Sequence, residues 1–283
     1  MSVSIGEALR RASQELDHAG VAEARREARS LLSHAIARDR TFLISHADDR
    51  LSDREWESFA NAVTRRAAGE PTQYITGTQD FFGRAFRVTP DVLIPRPETE
   101  LLVEAALQVM NAGSLICDVG TGSGCVAITL LCERSDARAV AIDISEAALE
   151  VARQNAREHA VEDRIGFVLS DCFSALNKSA SQFDLIISNP PYVSANALPG
   201  LQREVRDHEP LVALSPGADG LTVIKRLLLD GPKFIRANGY LLMEIGFDQG
   251  ETVPRLVDQK VWTLKEIRPD LQGIPRIVVL QKN

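Results

Sequence analysis

A chain of 283 residues suggests two compact units, and 45% hydrophobic with 25% charged residues is an ordinary globular composition that argues against intrinsic disorder. The formal net charge of −7 argues against a protein that holds nucleic acid mainly through phosphate contacts. Neither part is a basic clamp, because residues 1–72 carry 11 Arg and no Lys against 12 Asp and Glu, while the remainder carries 21 cations against 27 anions.

The opening MSVSIGEALRRASQEL is broken every few positions by Glu or Arg, so it lacks the apolar centre of a secretory signal. No apolar run approaches the roughly 20 residues of a membrane span. A cytoplasmic protein with no membrane partner is expected. Cys117, Cys125, Cys132 and Cys172 contain no CxxC pair and fall in or beside expected strands and helices, so reduced buried thiols are expected and no metal site.

Residues 1–72 place apolar and charged positions at helical spacing, with Ala, Leu, Arg and Glu dominant, and form an expected small all-helical domain. Ser4 to Glu7 and Ser52 to Glu55 fit the S-x-x-E capping box and mark helix starts. Ala24, Ala28, Leu31, Leu32 and Ala35 make a core-facing stripe on a second helix. Arg25, Arg26 and Arg29 read first as a solvated helix face.

Residues 73–97 change character: Phe81, Phe82, Phe86 and Val88 around Gly83 read as a β-hairpin, and Pro90, Pro95 and Pro97 punctuate the stretch after it. This segment is expected to link the domains. Across residues 98–283, LICDV, RAVAID, RIGFVL, FDLIIS, GYLLMEI, VWTLKEI and RIVVL alternate with helical stretches. Strands separated by helices imply a doubly wound α/β fold with a mainly parallel sheet.

The strand Leu115 to Val119 runs into Gly120-Thr121-Gly122-Ser123-Gly124 and then an apolar helix, a site where a ligand can approach backbone N–H groups closely. The dinucleotide fingerprint G-x-G-x-x-G would need glycine at position 125, which is Cys125, so a nicotinamide or flavin cofactor is disfavoured. Asp143, ending the second strand, suits the two hydroxyls of a ribose, with a helix N-cap as the plain alternative. Asp171, placed at the end of the third strand, could face an adenine amino group or cap the next helix.

The fourth strand, Phe183 to Ser188, delivers Asn189-Pro190-Pro191-Tyr192 at its carboxyl end, the edge where ligands bind in open α/β sheets. The two prolines end the strand and hold polar groups in set directions. A planar amino nitrogen is a poor nucleophile because its lone pair is delocalised. The Asn189 side-chain oxygen and the Pro190 carbonyl can each accept one of its hydrogens and turn the lone pair toward a sulfonium methyl, while Tyr192 stacks on the flat group.

With these motifs the sequence resembles the peptide chain release factor glutamine N5-methyltransferases. The resemblance rests on IPRPETE (Ile94 to Glu100), DVGTGSG (Asp118 to Gly124), Asp143, the Asn-Pro-Pro-Tyr run, HEP (His208 to Pro210) and GADGL (Gly217 to Leu221). It implies a seven-stranded class I methyltransferase sheet, S-adenosylmethionine as cofactor with S-adenosylhomocysteine as product, and a class 1 release factor as protein partner, methylated at the glutamine of its Gly-Gly-Gln loop. It further implies cofactor contacts from Gly120, Thr121, Gly122, Ser123, Gly124, Asp143, Asp171, Cys172, Phe173 and Asn189. Substrate contacts would come from Asn189, Pro190, Pro191, Tyr192 and Arg96, with Asn189, Pro190 and Tyr192 catalytic. Cys172 departs from the bulkier residue, such as Trp, of many members, and Phe173 is the candidate to cover the adenine instead.

Arg96, Glu98 and Thr99 either cap the helix beginning near Glu100 or close over the cofactor and substrate channel. A monomer with no direct nucleic-acid contact is expected. Alternatives are a glutamine methyltransferase of a large-subunit ribosomal protein, whose proline segment resembles VPRSP where this chain has IPRPE, an adenine-N6 nucleic-acid methyltransferase, which would carry a basic recognition region, and a non-catalytic cofactor-binding module.

Overall fold

A computed structural model describes residues 3–177 and 182–283. The chain divides into two units, Met1–Thr78 with Gln202–His208, and Gln79–Leu201 with Glu209–Asn283.

The first unit holds α1 (Ile5–His18), α2 (Ala24–Ile36), α3 (Arg40–Ser45), α4 (Asp53–Ala67) and α5 (Thr72–Thr76), joined by the short helix Arg203–His208. Ser52 and Glu55 form the complete capping box of α4, satisfying two free amides reciprocally. At α1 only half of it forms. Ser4 accepts from the Glu7 amide, but the Glu7 carboxylate turns to Arg10 and Arg11. Ile5, Ala8, Ala12 and Leu16 of α1 meet Ala28, Leu31 and Leu32 of α2 and Phe59 and Val63 of α4 in one core. The expected stripe of α2 is that core face, with Ala35 at its margin.

Arg66, only 8% exposed, binds this unit together. Its guanidinium donates to Glu27 at 2.9 Å, to Glu204 at 2.6 Å and to the Glu70 carbonyl at 3.3 Å. Gln202–His208 therefore belongs to the helical unit although residues 79–201 intervene, an excursion that local sequence pattern does not reveal.

Next in the chain, β1 (Thr78–Phe81) and β2 (Arg84–Arg87) form the hairpin. Phe82 and Gly83 take φ of 52° and 72°, the positive values a two-residue turn with native strand twist requires. The hairpin is more than a connector: Phe81 and Phe86 are buried in the core with Leu102, Ile128 and Ile187. The segment expected to link the domains is thus divided between them, with α5 in the helical unit and the two phenylalanines in the sheet unit.

After α6 (Glu100–Val109) come β3 (Leu115–Val119), α7 (Cys125–Glu133), β4 (Arg138–Asp143), α8 (Glu146–Glu158), β5 (Ile165–Leu169), β6 (Phe183–Ser188), β7 (Ile235–Glu244), β8 (Trp262–Pro269) and β9 (Pro275–Lys282). The seven-stranded sheet has the order β5-β4-β3-β6-β7-β9-β8, parallel except where β9 lies antiparallel to β7 and β8. Successive side chains leave opposite faces, so Ile116, Ile187 and Leu242 fill one layer and Cys117, Ile186 and Leu241 the other. The strand order reverses where β3 pairs with β6, which makes the carboxyl ends of these two strands the crevice for a ligand.

Candidate active site

Both motifs open at that switch point. The glycine turn after β3 is tied to β4, since the Gly120 and Thr121 amides donate to the Ile142 carbonyl at 2.8 and 2.9 Å. Gly120, Gly122 and Gly124 adopt φ of 75°, 54° and 80°. A Cβ on Gly120 or Gly122 would meet no protein atom within 4 Å and would project into open space, as a ligand cradle requires, whereas one on Gly124 would lie 2.8 Å from Ile128 Cδ1.

Asp143 ends β4 with both oxygens engaged by the backbone: Oδ2 accepts from Gly122 N and Oδ1 from Ser145 N, each at 2.9 Å. Burial raises its carboxyl above the usual range, and the amides of Ser145, Gly122 and Ile144 pull it back. The N-cap of α8 is Ser145, whose side chain accepts from Ala148 N. Asp143 is thereby left with its remaining lone pairs at the crevice.

One cavity of about 390 Å³ is lined by Gly120, Thr121, Gly122, Ser123, Asp143, Asp171, Cys172, Asn189, Pro190, Pro191 and Thr99, among others. The glycine turn and the Asn-Pro-Pro turn therefore share one chamber. Asn189 donates from Nδ2 to Thr99 Oγ1 at 3.0 Å, and Thr99 donates in turn to Glu244 Oε2 at 2.7 Å. Tyr192 donates its hydroxyl to Glu244 Oε1 at 3.2 Å. Glu244 is 1% exposed, and burial pushes its carboxyl up to about 7 despite the bonds from Thr99 and Tyr192.

Several expected residues stand elsewhere. Tyr192 does not line the chamber; a phenol hydroxyl in a mostly buried position needs an acceptor, and Glu244 supplies it. Phe173 is buried and stacked on Phe234, with ring centroids 4.9 Å apart, so its ring faces the core and does not line the cavity. Cys172, at φ 49°, does line it. Asp171 lies two residues beyond the end of β5 and pairs with Arg226 at 2.5 Å. Arg96 also turns away from the lining and pairs with buried Glu209 at 2.5 Å, so HEP and IPRPETE meet through an ion pair. Gly124 takes a packing role against Ile128 and Ala152.

Sequence reasoning missed Glu244, Asn155 and Asp118. Asn155 is fully buried, donates to the Ser123 and Arg87 carbonyls at 2.8 and 3.0 Å and accepts from Arg87 N at 2.8 Å, locking the glycine turn to the hairpin. Asp118 accepts from the Thr121 hydroxyl at 2.7 Å beneath the turn, and burial raises its carboxyl to about 7. A legible signal existed for Glu244: an acid at the end of the apolar run LLME in a central strand needs a partner. Among the described residues no cluster of His, Cys, Asp and Glu could hold a metal ion, and no helix is long and apolar enough to cross a membrane.

Known proteins decide the family. Residues 7–77 match the PrmC N-terminal domain and residues 97–205 the methyltransferase small domain. The release factor glutamine methyltransferase of Cereibacter sphaeroides is 46% identical over 272 residues, covering 96% of each chain. The chain belongs to the release factor glutamine methyltransferase family. The protein of the same name from Nitratidesulfovibrio vulgaris is 42% identical over 278 residues, covering 97% of this chain and 94% of its own. A solved methyltransferase of Pyrococcus furiosus shares the fold, with a TM-score of 0.53 at 15% identity over 79% of this chain and 98% of its own.

This family member is a methyltransferase that uses S-adenosylmethionine. The chamber fits that cofactor, because the side-chain-free cradle at Gly120 and Gly122 adjoins the Asp143 carboxylate, which two backbone amides hold in place.

Proposed function

We propose that this enzyme methylates the side-chain amide nitrogen, N5, of the glutamine in the Gly-Gly-Gln loop of class 1 peptide chain release factors, in the cytoplasm. The observation that carries the reading is the shared chamber, in which Asn189 and Pro190 face the same cavity as the glycine turn and Asp143, in a chain of this family. S-adenosylmethionine supplies a methyl group on a positively charged sulfur and leaves as S-adenosylhomocysteine.

The chain's residues do the rest by binding and orientation. Gly120, Thr121, Gly122 and Ser123 offer a backbone cradle, Asp143 accepts from ribose hydroxyls, and Asp171 and Cys172 border the adenine end, with Phe173 and Gly124 supporting from the core. Asn189 Nδ2 is committed to Thr99, so Oδ1 is the end of that amide left to accept from a substrate NH2 group. The Pro190 carbonyl accepts the second hydrogen, and the prolines keep both acceptors rigid. Drawing both hydrogens out of the amide plane returns the lone pair to nitrogen, and holding two reactants in register can supply about 7–11 kcal/mol of barrier reduction. No strong base is required, because the proton leaves to water after transfer has made the nitrogen acidic. Pro191 shapes the turn, Tyr192 braces it through Glu244, and Arg96 acts through Glu209. The helical unit is assigned to recognition of the release factor.

The test is methyl labelling. Enzyme with methyl-labelled cofactor should modify a class 1 release factor at one glutamine and leave ribosomal protein and DNA unlabelled. Labelling of DNA or ribosomal protein in place of release factor would overturn the substrate assignment.

A further inference from the structure

Asn189 has two ends of nearly equal shape, and only one is useful. An oxygen facing the substrate amide accepts its hydrogen, whereas an NH2 group in the same place meets donor with donor. Packing cannot choose between them, since the two orientations differ by the exchange of O and NH2. The choice has to come from what lies behind the amide.

Behind it lies Thr99, and behind Thr99 lies Glu244. A threonine hydroxyl has one hydrogen to give. At 2.7 Å that hydrogen goes to Glu244 Oε2, which leaves the Thr99 oxygen able only to accept. Its partner at 3.0 Å must then be a donor, and Asn189 can meet that demand only with Nδ2. The second carboxylate oxygen is taken by the Tyr192 hydroxyl at 3.2 Å, so an ionised Glu244 accepts from both sides and has no hydrogen of its own to give. We propose that Glu244 is a positioning residue that, through Thr99, sets which end of Asn189 faces the substrate amide. The inference rests on the reading of Asn189 as the acceptor for a glutamine NH2.

The direction of this relay is reversible, which gives it a signature beyond stability. If Glu244 gains a proton on Oε2, it donates to Thr99, the Thr99 hydrogen becomes free to point at Asn189, and the amide is driven to present Oδ1 to Thr99 and NH2 to the chamber. The groups around Glu244 are the Thr99 hydroxyl with Glu98 beside it, the Tyr192 hydroxyl, Arg276 from β9, and the Cys125 thiol at the start of α7. Arg276 favours the charged form and Glu98 opposes it. Turnover should therefore fall on the acid side of neutrality, as Glu244 takes up its proton, without a matching loss of cofactor binding.

The arrangement is tested with T99V, T99S and E244Q. T99V keeps the shape and removes the hydroxyl, T99S keeps the hydroxyl, and E244Q replaces an obligate acceptor with a group that must donate to one neighbour. Loss of one oriented hydrogen bond predicts that T99V lowers kcat about tenfold or more, with KM for the release factor and cofactor Kd within about twofold of wild type. T99S should stay near wild type, and E244Q, whose amide takes up no proton in this range, should lose the acid limb of its pH profile.

A second readout needs no substrate. In side-chain amide hydrogen exchange by NMR, one Asn189 Nδ2 proton should be protected in wild type and T99S and released in T99V. A T99V enzyme with wild-type kcat, an E244Q enzyme that keeps the acid limb, or equal Asn189 protection in T99V would each overturn the proposal. Failure of the wild type to label any release factor would instead count against the substrate reading, and the exchange comparison would still judge the relay.

Discussion

Gly122 donates its amide hydrogen to Asp143 Oδ2 at 2.9 Å, so the turn after β3 and the acidic end of β4 form one rigid piece of the chamber wall. The carboxylate both shapes the turn and stands ready for a ligand. Asp143→Ala removes both contributions. With charged hydrogen bonds worth about 1.5–3 kcal/mol, affinity for S-adenosylhomocysteine should fall about 10- to 100-fold by calorimetry. Unchanged affinity would show that the ribose is held elsewhere.

Two glycines of the turn should respond differently to alanine. Gly120→Ala strains a φ of 75° but meets no neighbour, whereas Gly124→Ala adds a contact at 2.8 Å to Ile128 on top of a φ of 80°. The first should cost about 1 kcal/mol of stability and the second about 2–4 kcal/mol. Denaturant unfolding of the two variants measures the difference, and a reversed order would contradict the packing described for Gly124.

Asn189→Ala deletes the acceptor while the glycine cradle and Asp143 stay in place. Turnover should drop about 100-fold or more, with S-adenosylhomocysteine affinity within a few-fold of wild type. Full activity in this variant would remove the amide-acceptor mechanism.

The pH dependence of stability has a definite sign. Asp118 and Glu244 titrate near 7 in the folded chain because burial disfavours their charge, against ordinary values of 3.8 and 4.5. A carboxyl raised in this way holds its proton more tightly when folded. Its contribution is complete below the ordinary value and is lost as pH rises toward 7. Compared with E244Q, wild type should therefore lose about 3 kcal/mol between about pH 4.5 and about pH 8. Chemical denaturation at the two pH values checks this, and a constant difference would place the perturbed group elsewhere. Activity runs the opposite way, since the relay through Thr99 needs the charged form.

How much of this was readable in advance depends on the range of the interaction. Short apolar runs such as LICDV and FDLIIS, separated by helical stretches, are local properties of the chain, and they carried the mainly parallel sheet directly into three dimensions. Gly120 to Gly124 and Asn189 to Tyr192 are likewise local devices, because positive φ and proline geometry are written into single residues. Their common position at the switch between β3 and β6 followed from where such turns sit in α/β sheets.

Side-chain partnership was different. Tyr192 was expected to stack in the chamber and Phe173 to cover the adenine, yet one hydroxyl went to Glu244 and the other ring to Phe234. Thr99 and Glu244 are 145 positions apart, and Asn189 and Thr99 are 90 apart. No sequence period links residues at such distances; a buried polar atom takes the partner that folding brings within about 3 Å.

The amino-acid order by itself determined the fold class and the two turns that open at the crevice, because backbone preference and short apolar runs act over a few residues. Only the tertiary structure decided that Glu204 joins the helical unit through Arg66 and that Glu244 stands behind Asn189. Both outcomes have the same cause: burying a charge or a polar group is costly enough that its partner must be found wherever in the chain packing supplies one.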